Sequence, residues 1–264
     1  MLVKPVPKSH LIATKNKSHR RSQSLISVFQ KMVEDFEKKN PNDISIMKIS
    51  QNKNIQHRRV YDFFNMLTSL KICQYVNKGK LTWIGLSSLE ISLQDAYTQI
   101  ELSSIDIPLN DLFRVGPSPS LGTIAINFLC LFMYFGLDTF LFKNASMLFY
   151  DPCSDIKSLE RRIYLVLNFL EVLGCVSHTS KTSEYKLNMN VDSIVQKAIK
   201  SRIEEVKQRN TLSLENLLNR LDHRYIENLW TYRREELASY SISESLGLFP
   251  SSSLEKSRSI GCAL

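Results

Sequence analysis

Between residues 22 and 39 the apolar positions Leu25, Val28, Phe29, Met32, Val33 and Phe36 recur at three- and four-residue steps. That spacing predicts an amphipathic helix, with Ser22 or Ser24 placed to cap its start and Asn40-Pro41 to end it. The stretch "DISIMKIS" then reads as a short extended piece and a brief second helix, and "NIQHRRVYDFFNMLTSL" as a third. Two β-like runs follow, "ICQYV" and "LTWIG", separated by Asn77-Lys78-Gly79-Lys80, which is turn chemistry for a hairpin.

The same order of parts returns further along. From Ser118 a long apolar helix runs to Phe135, a second helical stretch lies near Thr139 to Tyr150, and the acidic loop "DPCSD" leads into another helix and a poorer hairpin around "HTSKTSEYKLN". The third helices are near copies. "RRVYDFFNMLTSL" at 58–70 and "RRIYLVLNFLEVL" at 161–173 agree at six of thirteen positions. Three helices followed by a hairpin is the winged form of the helix-turn-helix. The fold class expected is therefore mainly α with small β-hairpins (α+β): two tandem winged helix-turn-helix domains followed by C-terminal helices. Along the chain this gives a basic disordered arm at 1–21, a first domain at 22–85, a mixed and acidic linker at 86–117 and a degenerate second domain at 118–188. A helical region at 190–241 and a Ser-rich disordered tail at 242–264 complete it. The helical region reads either as helices folding back on the second domain or as a dimerisation coil.

Placed at 100° per residue, the first copy gathers Val60, Phe63, Phe64, Leu67 and Leu70 on one face. Opposite stand Arg58, Asp62, Asn65 and Ser69, flanked by Arg59 and Tyr61. Arg58 and Arg59 lie in the first turn, where a recognition helix meets base edges. A guanidinium offers two donors matching O6 and N7 of guanine. Asp62 is spaced to hold one guanidinium in plane, Tyr61 to bond a phosphate, and Lys78 and Lys80 to add contacts from the wing.

Charge sharpens this picture. Residues 1–83 carry sixteen Lys/Arg against five Asp/Glu, whereas 84–160 carry three against nine. The N-terminal third, with Arg20 and Arg21 just ahead of the first helix, is thus where a polyanion would be drawn. Across 118–188 the charges balance at six each. The second copy has Leu165 and Val172 where the first has Asp62 and Ser69. Two readings of it stand: a partner half adding contacts from Arg161, Arg162 and Tyr164, or a protein-docking face built on Leu165 and Val172.

Other chemistry finds no support. The five cysteines have no paired spacing, the five histidines are scattered, and no secretory signal is expected at the N-terminus. There is no phosphate-cradling glycine loop or nucleophile motif, so neither an enzyme, a cofactor, a metal nor a small-molecule substrate is expected. The apolar run at 123–142 is broken by Asn127 and by Gly136 to Asp138, too soon to cross a bilayer core of about 30 Å.

"HRRVYDFFNMLTSLKICQYV" followed by "KLTWIG" resembles the DNA-binding domain of the E-two-F/DP transcription factors, whose recognition helix carries Arg-Arg-x-Tyr-Asp and then Asn-x-Leu. The resemblance covers about 22–85. It extends more weakly to 118–188, where "SPSL" and "RRIY" look like the second domain of the atypical members, which carry both domains in one chain. The resemblance implies a nuclear, sequence-specific regulator of RNA polymerase II promoters of cell-cycle type. Arg58 and Arg59 would read the central G·C pairs of a TTTSSCGC-type site, supported by Tyr61, Asp62 and Asn65. The partner is double-stranded DNA, with either a DP-like or E-two-F-like subunit or intramolecular pairing of the two winged helices. The alternative is a winged-helix interaction or assembly module with little DNA readout.

Overall fold

The computed structural model describes residues 25–77, 79–209 and 223–245. The basic arm with Arg20 and Arg21, the wing residue Lys78, the helix break at 210–213 and the tail from 246 on lie outside the described residues. The chain is mostly helical with two small antiparallel sheets.

The first unit runs α1 (Leu25–Lys39), β1 (Ile44–Ser45), α2 (Ile46–Lys53), α3 (His57–Ser69), β2 (Cys73–Asn77) and β3 (Lys80–Trp83). Ser45 caps α2 by accepting from the Lys48 N–H, and Asn54 closes it in the left-handed conformation at φ 51°. The hairpin pairs Cys73 with Trp83 and Tyr75 with Leu81, and β1 adds to β3 through Ile44 and Leu81. The strand order is thus β1-β3-β2.

After α4 (Ser88–Ser103) and the short α5 (Leu109–Leu112), the order repeats. It runs α6 (Leu121–Phe135), β4 (Thr139–Leu141), α7 (Phe142–Phe149), α8 (Ile156–Val172), β5 (Val176–His178) and β6 (Glu184–Leu187). The second sheet has the matching order β4-β6-β5. Thr139–Leu141 is a strand, not the start of the helix expected there, because its backbone pairs with Glu184–Lys186. Asp155 caps α8 by accepting from the N–H groups of Lys157 and Ser158. The helix therefore begins well before its arginine pair, whereas α3 begins one residue before Arg58.

The two units dock crosswise: α3 packs on α6, and α1 packs on α8. First helix meets third helix twice, which is the pattern of a two-fold relation within one chain. Phe29, Phe63 and Phe169 form the seam, with ring centroids 4.4 to 5.7 Å apart. Such pairs add about 0.5–1.5 kcal/mol each beyond area burial. Every residue from Phe128 to Phe135 on α6 is buried, because α3, α4, α8 and the last helix surround it. That enclosure explains the run that looked membrane-like; among the described residues no helix is long and apolar enough to cross a membrane.

The segment 86–117, expected as a linker, contributes α4 to the core. Leu89, Leu93 and Tyr97 are buried, and α4 makes its broadest contact with α9 (Asp192–Arg209). The two helices run parallel. Ser193 donates to Glu90, Arg202 to the Glu101 carbonyl at 2.7 Å, and Arg209 pairs with Asp106 at 2.7 Å. Each starts five residues after the last strand of its own unit, so the crosswise symmetry extends into this helical pair.

The final helix, α10 (His223–Ser245), reaches four residues past the expected helical region and folds back on the C-terminal end of α6. Helix ends leave carbonyls without intrahelical donors. Here the Trp230 indole N–H donates to the Met133 carbonyl at 3.0 Å, Arg233 to Tyr134 and Arg234 to Phe135, both at 3.1 Å. Arg233 is buried with Glu101, bonded through both guanidinium nitrogens at 2.8 and 2.7 Å, and lies 3.7 Å over the Tyr134 ring. Burial works to lower the Arg233 pKa, but the Glu101 hydrogen bonds and charge more than reverse it, and the net shift is upward. Tyr97 donates to Glu101 from the other side; burial, and then the Glu101 charge, push its phenol well up.

Candidate nucleic-acid interface

The polar stripe of α3 stands where the apolar face leaves it. Val60, Phe63, Phe64, Met66 and Leu67 are sunk in the core, which turns Arg58, Arg59, Asp62, Asn65 and Ser69 outward. Arg58 is exposed. Arg59 Nη1 lies 3.3 Å from Asp62 Oδ2, the spacing expected of a carboxylate that orients a guanidinium. A half-buried surface pair of this kind contributes only about 0–1 kcal/mol to stability; what it does is fix the direction of the Arg59 guanidinium.

Tyr61 is exposed and its ring stacks beside His57. Asn65 has a structural partner that the sequence did not suggest: its side-chain oxygen accepts from the Tyr75 phenol at 2.8 Å, tying strand β2 to the helix. Burial and the neighbouring Tyr61 phenol raise the Tyr75 pKa, which keeps that donor protonated. Lys80 is exposed at the start of β3 and pairs with Asp43 at 3.0 Å.

In α8 the equivalent residues are arranged differently. Arg161 is exposed, but Arg162 turns back to donate to the Pro119 carbonyl at 2.6 Å, bracing α8 against the entry to α6. Tyr164 stacks face to face on Phe142, centroids 4.1 Å apart. Val172 is buried at the edge of a cleft shared with Gln30, Val33 and Glu34 of α1. The apolar docking face suggested by Leu165 and Val172 is therefore divided: Val172 is covered within the chain, and only Leu165 faces outward space.

That space is a groove of about 460 Å³ between α3, along its length from Arg58 to Ser69, and the N-terminal half of α8. Arg58 and Arg59 line one side, Arg161 and Arg162 the other, with Asp62 and Leu165 behind them. The floor is formed where α6 begins, at Ser120 to Gly122. Close approach of the helices makes the groove: a β-carbon on Gly122 would come within 2.1 Å of Ser69 Cβ. The sequence placed both arginine pairs on outward faces, but not that they would converge; only the crosswise docking does that. Pro119 as the Arg162 acceptor and Tyr75 as the Asn65 donor were missed, because neither contact leaves a periodic trace.

Residues 21–85, which span α1 to β3, match the E-two-F/DP family winged-helix DNA-binding domain. No curated protein and no solved structure matches the chain.

Proposed function

We propose, from the premise that residues 21–85 form a DNA-binding domain of the E-two-F/DP family, that this chain is a sequence-specific transcription regulator that grips one duplex site with both of its units. In this reading 118–188 is a second winged helix, and the chain supplies by itself the pairing that would otherwise need a DP-like or E-two-F-like subunit. The observation that carries it is the convergence of Arg58, Arg59, Arg161 and Arg162 on one groove. Four cations in one concavity attract phosphates and base acceptors together. Arg58 and Arg59 would meet guanines of a GC core, Tyr61 and Lys80 the backbone, and Arg161 the opposite half of the site. In this reading the chain acts on cell-cycle promoters in the nucleus, which the family match of its first unit supports.

The competing reading, an assembly module with little DNA contact, drew on an exposed apolar face. Val172 lies under α1 and Leu165 among arginines, which favours DNA. Fluorescence anisotropy with a TTTSSCGC-type duplex and a scrambled duplex, with the full chain at moderate salt, tests this. One chain per duplex is expected, with a clear preference for the GC-core site that Arg58→Ala plus Arg59→Ala removes. Equal affinity for the two duplexes, or preference unchanged in the double variant, would overturn it.

A further inference from the structure

The two halves of the groove differ at one pair of equivalent positions, Asp62 on α3 and Leu165 on α8. In the first half the carboxylate keeps Arg59 beside Arg58 as a second outward donor set. In the second half a leucine can hold nothing, and Arg162, though it lines the groove, is engaged by the Pro119 carbonyl. That leaves Arg161 as the guanidinium of this half with no acceptor among the described residues, with an apolar side chain four residues on, on the same helical face.

A leucine pressed against a polar base edge gains nothing and leaves that edge without a hydrogen bond. Against a methyl group it buries apolar surface. In the major groove the unmodified base pairs offer one methyl, on C5 of thymine; 5-methylcytosine presents its methyl at the same place. Resting on the DNA-binding reading above, we infer that Leu165 is a specificity residue that reads a pyrimidine C5 methyl in the half of the site facing α8. Residues four apart on a helix are separated by about 5–6 Å. The methyl therefore lies one to two base steps of about 3.4 Å from the base met by Arg161. The first half reads hydrogen-bonding edges alone; the second reads one such edge and one methyl. The site then has a direction, and the chain binds it in one orientation.

Substituting deoxyuridine for thymine removes only this methyl, so the wild-type chain itself can report. A duplex is first selected from a random pool with the full-length chain. Each thymine is then replaced singly by deoxyuridine and each cytosine by 5-methylcytosine, and affinities are measured by anisotropy. One position in the half weakened by Arg161→Ala should respond, losing about fourfold without its methyl or gaining about as much with one added, the size of one buried methyl group. Leu165→Asn, checked for unchanged helix content and urea midpoint, should make that position indifferent. If the wild-type chain selects a site yet no position responds to a methyl, this inference falls while the DNA reading stands. If it selects no sequence from the pool, both fall.

Discussion

Phe63 on α3 and Phe169 on α8 meet edge to face with ring centroids 5.0 Å apart, joining the two arginine-bearing helices directly. Both are buried, and Phe29 of α1 closes the cluster. Phe169→Ala empties this seam. A loss of about 3–5 kcal/mol is expected in urea unfolding, the usual range for a buried Phe→Ala change. DNA affinity of the fraction that stays folded should drop as well, since the helices lose their common support.

Gly122 lets α6 approach α3 at Ser69. Gly122→Ala puts a β-carbon where Ser69 already is, and overpacking of this kind costs about 1–3 kcal/mol. Ser69→Gly removes the opposing atoms, although a glycine near a helix end carries its own cost of up to about 1 kcal/mol. The double variant should be more stable than the sum of the two single effects, a favourable coupling of at least about 0.5 kcal/mol in a double-mutant cycle. Strict additivity would mean that the contact does not hold the units together.

Breaking the buried Arg233–Glu101 pair should release α10. Arg233→Met leaves the Glu101 carboxylate in the core and is expected to cost about 3–5 kcal/mol; adding Glu101→Gln should recover part of it. Trp230 reports the event, since its ring covers Gly136. In a Trp83→Phe background its emission should shift to the red in Arg233→Met.

Alkaline pH should weaken the fold. Burial pushes the Cys73 and Cys175 thiols from 9.0 to about 12, and Cys130 further still. These pKa values are raised in the folded chain, so the unfolded chain loses its protons first. The stabilisation is complete below pH 9.0 and is lost as pH rises towards 12, at about 1.4 kcal/mol per pH unit for each thiol. The urea midpoint should fall steadily above pH 9, and less steeply in Cys130→Ala. Exposed Cys153 should react with iodoacetamide in the native protein, in a Cys262→Ser background, while the three buried thiols wait for unfolding.

Much of the first unit was written in the sequence because its helices each bury one face. A stripe such as Val60-Phe63-Phe64-Leu67 fixes which side points out, and so Arg58, Arg59 and Asp62 could be placed before any coordinates. The Arg59–Asp62 pair is local, three residues apart, and needs only the helix. Helix α4 was hidden for the opposite reason. It meets α9 on one side and α6 on another, so its apolar residues form no single stripe, and the buried Glu101 made the segment look like an acidic connector.

By itself, then, the sequence determined the repeated order of the helices, the outward face of Arg58, Arg59 and Arg161 and the chemical difference between Asp62 and Leu165, since each depends on neighbours within a few turns. The tertiary structure alone decided the crosswise docking of α1 on α8 and α3 on α6, the turning of Arg162 to Pro119, and the burial of Val172. Those contacts join residues tens of positions apart or more. Complementary surfaces select them, and no periodicity along the chain records which surfaces meet.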